Sequence, residues 1–199
     1  MSAEELPGAT VWFTGLSGAG KSTVARALAG RLGRQGRRSY VLDGDDLREG
    51  LSSDLGFSAE DRAENVRRVG EVALLLSRAA HLTLVTVISP YAGGRERVRR
   101  RHEESGVEFV EVHVATPLEL CEARDPKGLY RRARAGEIER FTGISDPYEP
   151  PPAPEVVLRT EGRTPEDCAA EVLLHLAARR LADVGPTAER AAGPIAELS

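Results

Sequence analysis

The sequence predicts a three-layer α/β fold with a five-stranded, mostly parallel sheet. Three observations carry that prediction. Short β-branched and aromatic runs alternate with longer stretches of helical periodicity along most of the chain. One run, Leu82 to Ile88, is apolar almost throughout, as expected of a central parallel strand covered on both faces. The first run passes through a glycine-rich loop directly into a helical pattern, the order of a phosphate-binding turn.

The 199 residues fit one domain with a tail, and 41% hydrophobic content is enough to bury a core. A net charge of −4 gives nonspecific nucleic-acid binding no global support, so no nucleic-acid partner is expected. The basic run Arg97 to Arg101 reads as a solvated helix face. Two cysteines, Cys121 and Cys168, are too few for a disulfide framework and point to a reducing, cytoplasmic compartment. Nothing resembles a signal peptide or a membrane span, so no membrane partner is expected.

Residues 1–9 form a short polar lead. Thr10 to Thr14 is the first strand, and Ser22 to Leu32 the first helix, with Ala25, Leu28, Ala29 and Leu32 on one face. Between them Gly15-Leu16-Ser17-Gly18-Ala19-Gly20-Lys21-Ser22 fits G-x-x-x-x-G-K-[ST] without substitution. In such a loop the glycines let backbone N–H groups turn inward around phosphates, and the following helix N-terminus adds partial positive charge. Lys21 can then reach the β- and γ-phosphates, and the Ser22 hydroxyl can ligate Mg²⁺.

Ser39 to Leu42 reads as the second strand and delivers Asp43-Gly44-Asp45-Asp46-Leu47-Arg48 to the sheet edge where open α/β sheets bind ligands. Leu55-Gly56-Phe57-Ser58 leads into a long helix, about Ala59 to Ala80, capped by Ser58. Val66, Val69, Ala73 and Leu76 share its apolar face; Arg62, Asn65 and Arg68 share a polar one. Leu82 to Ile88 ends in Ser89-Pro90-Tyr91 without an aspartate, so Asp43 and Asp45 substitute for the usual strand-end metal ligand.

Gly94 to Ser105 reads as a charged helix and Val107 to Val114 as the fourth strand. Thr116-Pro117-Leu118-Glu119 has the form of a helix start with Thr116 as cap, and that helix ends near Arg124. The charged, glycine-broken segment of about 125–146 falls where a mobile lid belongs. Five prolines between Pro147 and Pro154 make an extended connector to a fifth strand, Glu155 to Leu158. A last helix starts at the Thr164 cap and runs to about Leu181, leaving residues 182–199 as a disordered tail.

These blocks, in order, closely resemble the adenylylsulfate kinase family, a P-loop kinase fold. The resemblance rests on the loop, Asp43 to Arg48, Leu55 to Ser58, Asn65 to Val72, Ile88 to Tyr91, and Ala123 to Tyr130 with Phe141 to Ile144. It covers about residues 10–181. It implies transfer of the γ-phosphoryl group of ATP to the 3′-hydroxyl of adenosine 5′-phosphosulfate, with Mg²⁺ as cofactor, in a homodimer. It implies that the loop residues with Thr23 and Arg124 hold ATP. It implies that Asp45, alone or with Asp43, orients metal water or the acceptor hydroxyl, and that Arg48, Arg62 and Asn65 grip the phosphosulfate. Phe57 and Phe141 would sandwich its adenine, Lys127 would reach the transferring phosphate, and Asp43, Ile88, Ser89 and Gly143 would complete the acceptor site.

The family's counterpart of Ser89 has been assigned as a phosphorylated intermediate. The residues here favour direct transfer instead, because Ile88 to Tyr91 offers no base to activate a serine; its hydroxyl is expected to hydrogen-bond substrate or phosphate. Asp46 stands where the family often has Asn, and Ser145-Asp146 inverts a commoner order. Neither an attached sulfurylase domain nor a long regulatory extension before the first strand is expected. Two other functions compete: another small-molecule kinase on this fold, and a non-catalytic nucleotide-binding regulator. Arg48, Phe57, Arg62, Asn65 and Phe141 together speak against the first, and intact Lys21, Ser22, Asp45 and Lys127 against the second.

Overall fold

A computed structural model describes residues 6–183. Five strands, β1 (Ala9–Thr14), β2 (Ser39–Asp43), β3 (Leu82–Thr86), β4 (Glu108–Val114) and β5 (Val156–Leu158), form one sheet in the order β2-β3-β1-β4-β5. Every pairing in it is parallel. Among the described residues seven helices connect and cover them: α1 (Lys21–Arg34), α2 (Gly44–Glu49), α3 (Ala59–Arg78), α4 (Ala92–Glu103), α5 (Leu118–Arg124), α6 (Leu129–Arg134) and α7 (Pro165–Ala178).

Period-two alternation divides the core between the faces of the sheet. Ala9, Val11 and Phe13 of β1 pack with Leu28 and Leu32 of α1 and Val172 and Leu176 of α7. Trp12 faces the other way, with Val85 and Phe109, onto Val66, Val69 and Ala73 of α3 and Val98 of α4. That gives the three layers. At Gly70 an added Cβ would lie 2.8 Å from Val98 Cγ2, which sets how closely α3 and α4 approach. Polar groups inside this second layer are paired: Thr10 Oγ1 meets Ser77 Oγ and His102 Nε2, each at 2.9 Å, and Ser77 Oγ donates to Thr83 Oγ1 at 3.0 Å.

Most elements fall where the pattern places them, with differences at their ends. α3 has the expected cap, a full capping box in which Ser58 Oγ accepts from Asp61 N at 3.1 Å. α7 has the same device in Thr164 and Asp167, but stops at Ala178 rather than Leu181. Leu181 and Ala182 are nevertheless buried, so the packed body runs through Ala182, and the tail expected over 182–199 lies, from residue 184 on, outside the described residues. β3 ends two residues before Ile88.

Two short helices, α2 and α6, form where no periodicity announces them. The basic run on α4 is not wholly solvated. Arg99 pairs with Glu111 and Glu155, and the neighbouring Arg95 is buried against Glu111 at 2.8 Å. Thr116 is not a helix cap. Pro117 holds extended angles (φ −56°, ψ 149°) and itself precedes α5, so the Thr116 hydroxyl turns away and donates to Ala19 O at 2.8 Å.

Candidate active site

The C-terminal ends of β1, β2, β3 and β4 meet at one edge of the sheet. The connection from β1 runs to one side, to β2, and that from β3 crosses to the other, to β4, so the strand order switches at β1 and the crevice opens there. β1 runs into the glycine loop. At Gly15 (φ 146°) a Cβ would lie 2.6 Å from Val114 O, so only glycine lets the loop pass β4. Lys21, the first residue of α1, is buried, and its Nζ donates to Gly15 O at 2.9 Å and to Leu16 O at 2.7 Å. Burial lowers its pKa to about 8, with the nearby Asp45 and Asp43 carboxylates pulling the other way. Ser22 is half-buried, its Oγ 3.3 Å from Thr86 Oγ1; Thr23 is exposed.

β2 ends on Asp43, which caps α2 by accepting from Asp45 N at 3.2 Å and also accepts from Arg26 at 3.2 Å. Asp43 is buried, whereas Asp45 faces the opening and pairs with Lys127, 82 residues further along. Among the described residues no group of three or more His, Cys, Asp and Glu forms a metal cage. Ser22 with Asp43 and Asp45 is an oxygen set of the kind that fits Mg²⁺, which takes one or two protein oxygens and keeps water and phosphate for the rest.

Beside α2 lies a second cluster. Arg48 donates to Gly56 O at 3.0 Å, and its guanidinium sits 4.4 Å from the centroid of the Phe57 ring. Phe57 is 59% exposed, an unusual position for a phenylalanine. Arg62 and Asn65, one turn apart on α3, are both buried, and Asn65 Oδ1 has no partner. Arg62 Nε donates to Phe57 O at 3.0 Å and Nη1 to Thr142 Oγ1 at 2.7 Å; Nη2 donates to Arg140 O, and Asp146 lies 3.5 Å away. Asp146 also accepts from Tyr91 Oη at 3.0 Å. Arg62 therefore ties α3 and Phe57 to the segment expected to be a lid. That segment reaches the nucleotide loop too, since a Cβ on Gly143 would lie 3.0 Å from Leu16 Cδ2. A cleft of about 500 Å³ opens between Leu16 and Gly143, Asp146 and Tyr148.

The expected residues do not all present themselves alike. Lys21, Ser22, Asp45 and Lys127 gather around the loop, and Arg48, Phe57, Arg62 and Asn65 form the neighbouring cluster. Phe141 is buried, edge-on to Tyr130 at 4.9 Å, so it is not a free face matching Phe57. Ile88 is half-buried and its carbonyl accepts from Thr14 Oγ1 at 2.7 Å. Arg124 is exposed at the end of α5.

Ser89 departs furthest from its expected geometry. At φ 43° its side chain turns into the sheet, where Oγ donates to Thr14 Oγ1 at 3.0 Å and accepts from Trp12 Nε1 at 3.1 Å. The hydroxyl is 3% exposed and engaged by core residues rather than facing the opening. Sequence reasoning also missed Tyr91, Thr142 and Asp146, whose roles rest on contacts more than 50 residues apart along the chain.

Residues 7–159 match the family model described as adenylylsulphate kinase. The adenylyl-sulfate kinase of Shewanella amazonensis is 61% identical over 153 residues, 77% of this chain and 76% of that protein. That of Saccharomyces cerevisiae is 49% identical over 174 residues, 87% and 86% of the two chains. A solved Mycobacterium tuberculosis APS kinase, in complex with AMPPNP and APS, superposes with a TM-score of 0.84 at 52% identity, covering 86% of this chain and 99% of that one. With that agreement over the segment that builds both clusters, the chain belongs to the adenylylsulfate kinase family.

Proposed function

We infer that the chain transfers the γ-phosphoryl group of ATP to the 3′-hydroxyl of adenosine 5′-phosphosulfate, giving ADP and 3′-phosphoadenosine 5′-phosphosulfate. One observation carries the reading. The nucleotide loop and the Arg48–Phe57–Arg62–Asn65 cluster share one sheet edge in a chain 52% identical to a kinase solved with AMPPNP and APS.

Phosphoryl transfer asks the protein for alignment and charge neutralisation more than for covalent help. The loop N–H groups and Lys21 hold the triphosphate, and Lys21 exchanges its carbonyl partners for phosphate oxygens. Ser22 and Asp45, with Asp43 behind, would hold Mg²⁺, which when bound would offset the negative charge of the phosphates. Lys127 leaves Asp45 for the moving phosphoryl group as the lid closes, which frees Asp45 to orient the acceptor hydroxyl. Arg48 and Asn65 face the anionic end of the acceptor, and Arg62 fixes the wall that holds it. Phe57 stacks on the adenine, and Phe141, buried against Tyr130, backs the lid rather than offering a second face. Ser89 shapes the strand end and takes no covalent part.

A homodimer in the cytoplasm completes the reading. Its support is the family resemblance, the cysteine usage, and the fact that no helix among the described residues is long and apolar enough to cross a membrane. A relative from Thiobacillus denitrificans is described as hexameric, so the assembly of this chain is a matter for sedimentation. An acceptor panel tests the function: with Mg·ATP, ADP should form with adenosine 5′-phosphosulfate and not with gluconate or shikimate. Turnover confined to one of the latter would overturn it.

A further inference from the structure

A loop that turns its N–H groups inward must turn carbonyls outward, and each buried carbonyl needs a donor. Before nucleotide binds, Lys21 Nζ serves Gly15 O and, together with Ala19 N at 3.2 Å, Leu16 O; Val24 N serves Gly20 O through the first turn of α1. Two carbonyls in the middle of the loop are served from outside it. Tyr130 Oη, on α6, donates to Ser17 O at 2.9 Å. Thr116 Oγ1, between β4 and α5, donates to Ala19 O at 2.8 Å, and Thr160 Oγ1 stands behind it at 2.6 Å. Since Thr116 spends its proton on Ala19 O, Thr160 is the donor of that second bond. Thr116 and Ala19 are both buried, so water does not substitute for that hydroxyl; the bond from Tyr130, itself buried, reaches a half-buried Ser17.

We propose that Tyr130 and Thr116 are positioning residues for the nucleotide phosphates: they hold the Ser17 and Ala19 carbonyls outward and so keep the loop's N–H groups aimed at the bound triphosphate. The proposal rests on the reading of this loop as the ATP site. Neither residue touches the reacting atoms; both act through backbone they do not belong to. Tyr130 adds a connection, because its ring also packs edge-on against Phe141. Its hydroxyl belongs to the nucleotide side and its ring to the acceptor side.

That division makes the test selective. Tyr130→Phe keeps the ring against Phe141 and removes the hydroxyl, with its bond to Ser17 O and its contact with the Cys121 thiol. It should raise KM for ATP severalfold, as expected when a half-buried carbonyl loses its donor, with KM for adenosine 5′-phosphosulfate unchanged. Thr116→Val should act likewise and Thr116→Ser should restore ATP binding; if Thr116→Val does not fold, Tyr130→Phe carries the test. Adenosine, which has no phosphate to align, should bind the variants as it binds wild type, a readout that general destabilisation would not spare. Equal weakening of ATP and adenosine, or no change in either, would overturn the inference while leaving the wild-type function intact. A wild-type chain that binds no ATP would overturn the functional reading and the inference with it.

Discussion

Binding of ATP should draw a proton onto Lys21. The ammonium is buried under the loop with only two carbonyls for partners, and its pKa falls from 10.5 to about 8. Triphosphate oxygens replace those carbonyls and restore the charged form. If the bound pKa lies well above 9, uptake per ATP is about a tenth of a proton at pH 7, about half at pH 8 and about nine-tenths at pH 9. By the same linkage, affinity falls roughly tenfold between pH 7 and pH 9, or about 1.4 kcal/mol. Titration calorimetry in buffers of different ionisation enthalpy reads the uptake directly, and the interval above pH 8 avoids the titration of phosphate itself, near pH 6.

Lys21→Met is the control, since it removes the titrating group. The sign for stability is opposite to that for binding. Between pH 8 and 10.5 the unfolded chain holds a proton that the folded one lacks, so the ligand-free protein gains stability from this group as pH rises. An ATP affinity independent of pH from 7 to 9, or equal proton uptake in Lys21→Met, would refute the reasoning.

Three further outcomes follow from the geometry. Phe57→Ala should leave the melting temperature nearly unchanged, because the ring is already exposed, yet cost roughly 1–3 kcal/mol of acceptor binding; equal loss for ATP would refute the stacking role. Phe141→Ala is the poorer test, since a buried ring removed costs about 3–5 kcal/mol of stability before any ligand is added. Ser89→Ala should lower unfolding free energy by roughly 1–3 kcal/mol, stranding Trp12 Nε1, with turnover per folded molecule little changed; lost turnover at unchanged stability would return the hydroxyl to the chemistry. Proteolysis within residues 125–146 should slow when ATP and acceptor are both bound, and unchanged cleavage would mean the segment does not act as a lid.

What was readable in the sequence was local. The nucleotide loop is eight consecutive residues whose chemistry depends on its own backbone, and the Ser58 and Thr164 caps are signals three residues long. Sheet order was not readable, because parallel pairing joins segments far apart: Trp12 lies opposite Val85 on one side and Glu111 on the other. Thr116 shows how a local signal misleads. Its Thr-Pro-x-Glu pattern matches a helix start, but Pro117 takes the cap position and the Thr116 hydroxyl lies against the Ala19 carbonyl, 97 residues earlier. Arg62 and Ser89 could be picked out from their motifs, but the direction of each side chain depends on partners outside the local sequence, Thr142 for one and Trp12 for the other.

The central claim is the identity of the acceptor atom. Purified chain, Mg²⁺, γ-labelled ATP and adenosine 5′-phosphosulfate should yield one labelled nucleotide whose new phosphate is at the ribose 3′ position, as read by phosphorus–proton couplings in its NMR spectrum. Label at any other position, or label released only as inorganic phosphate, would contradict it.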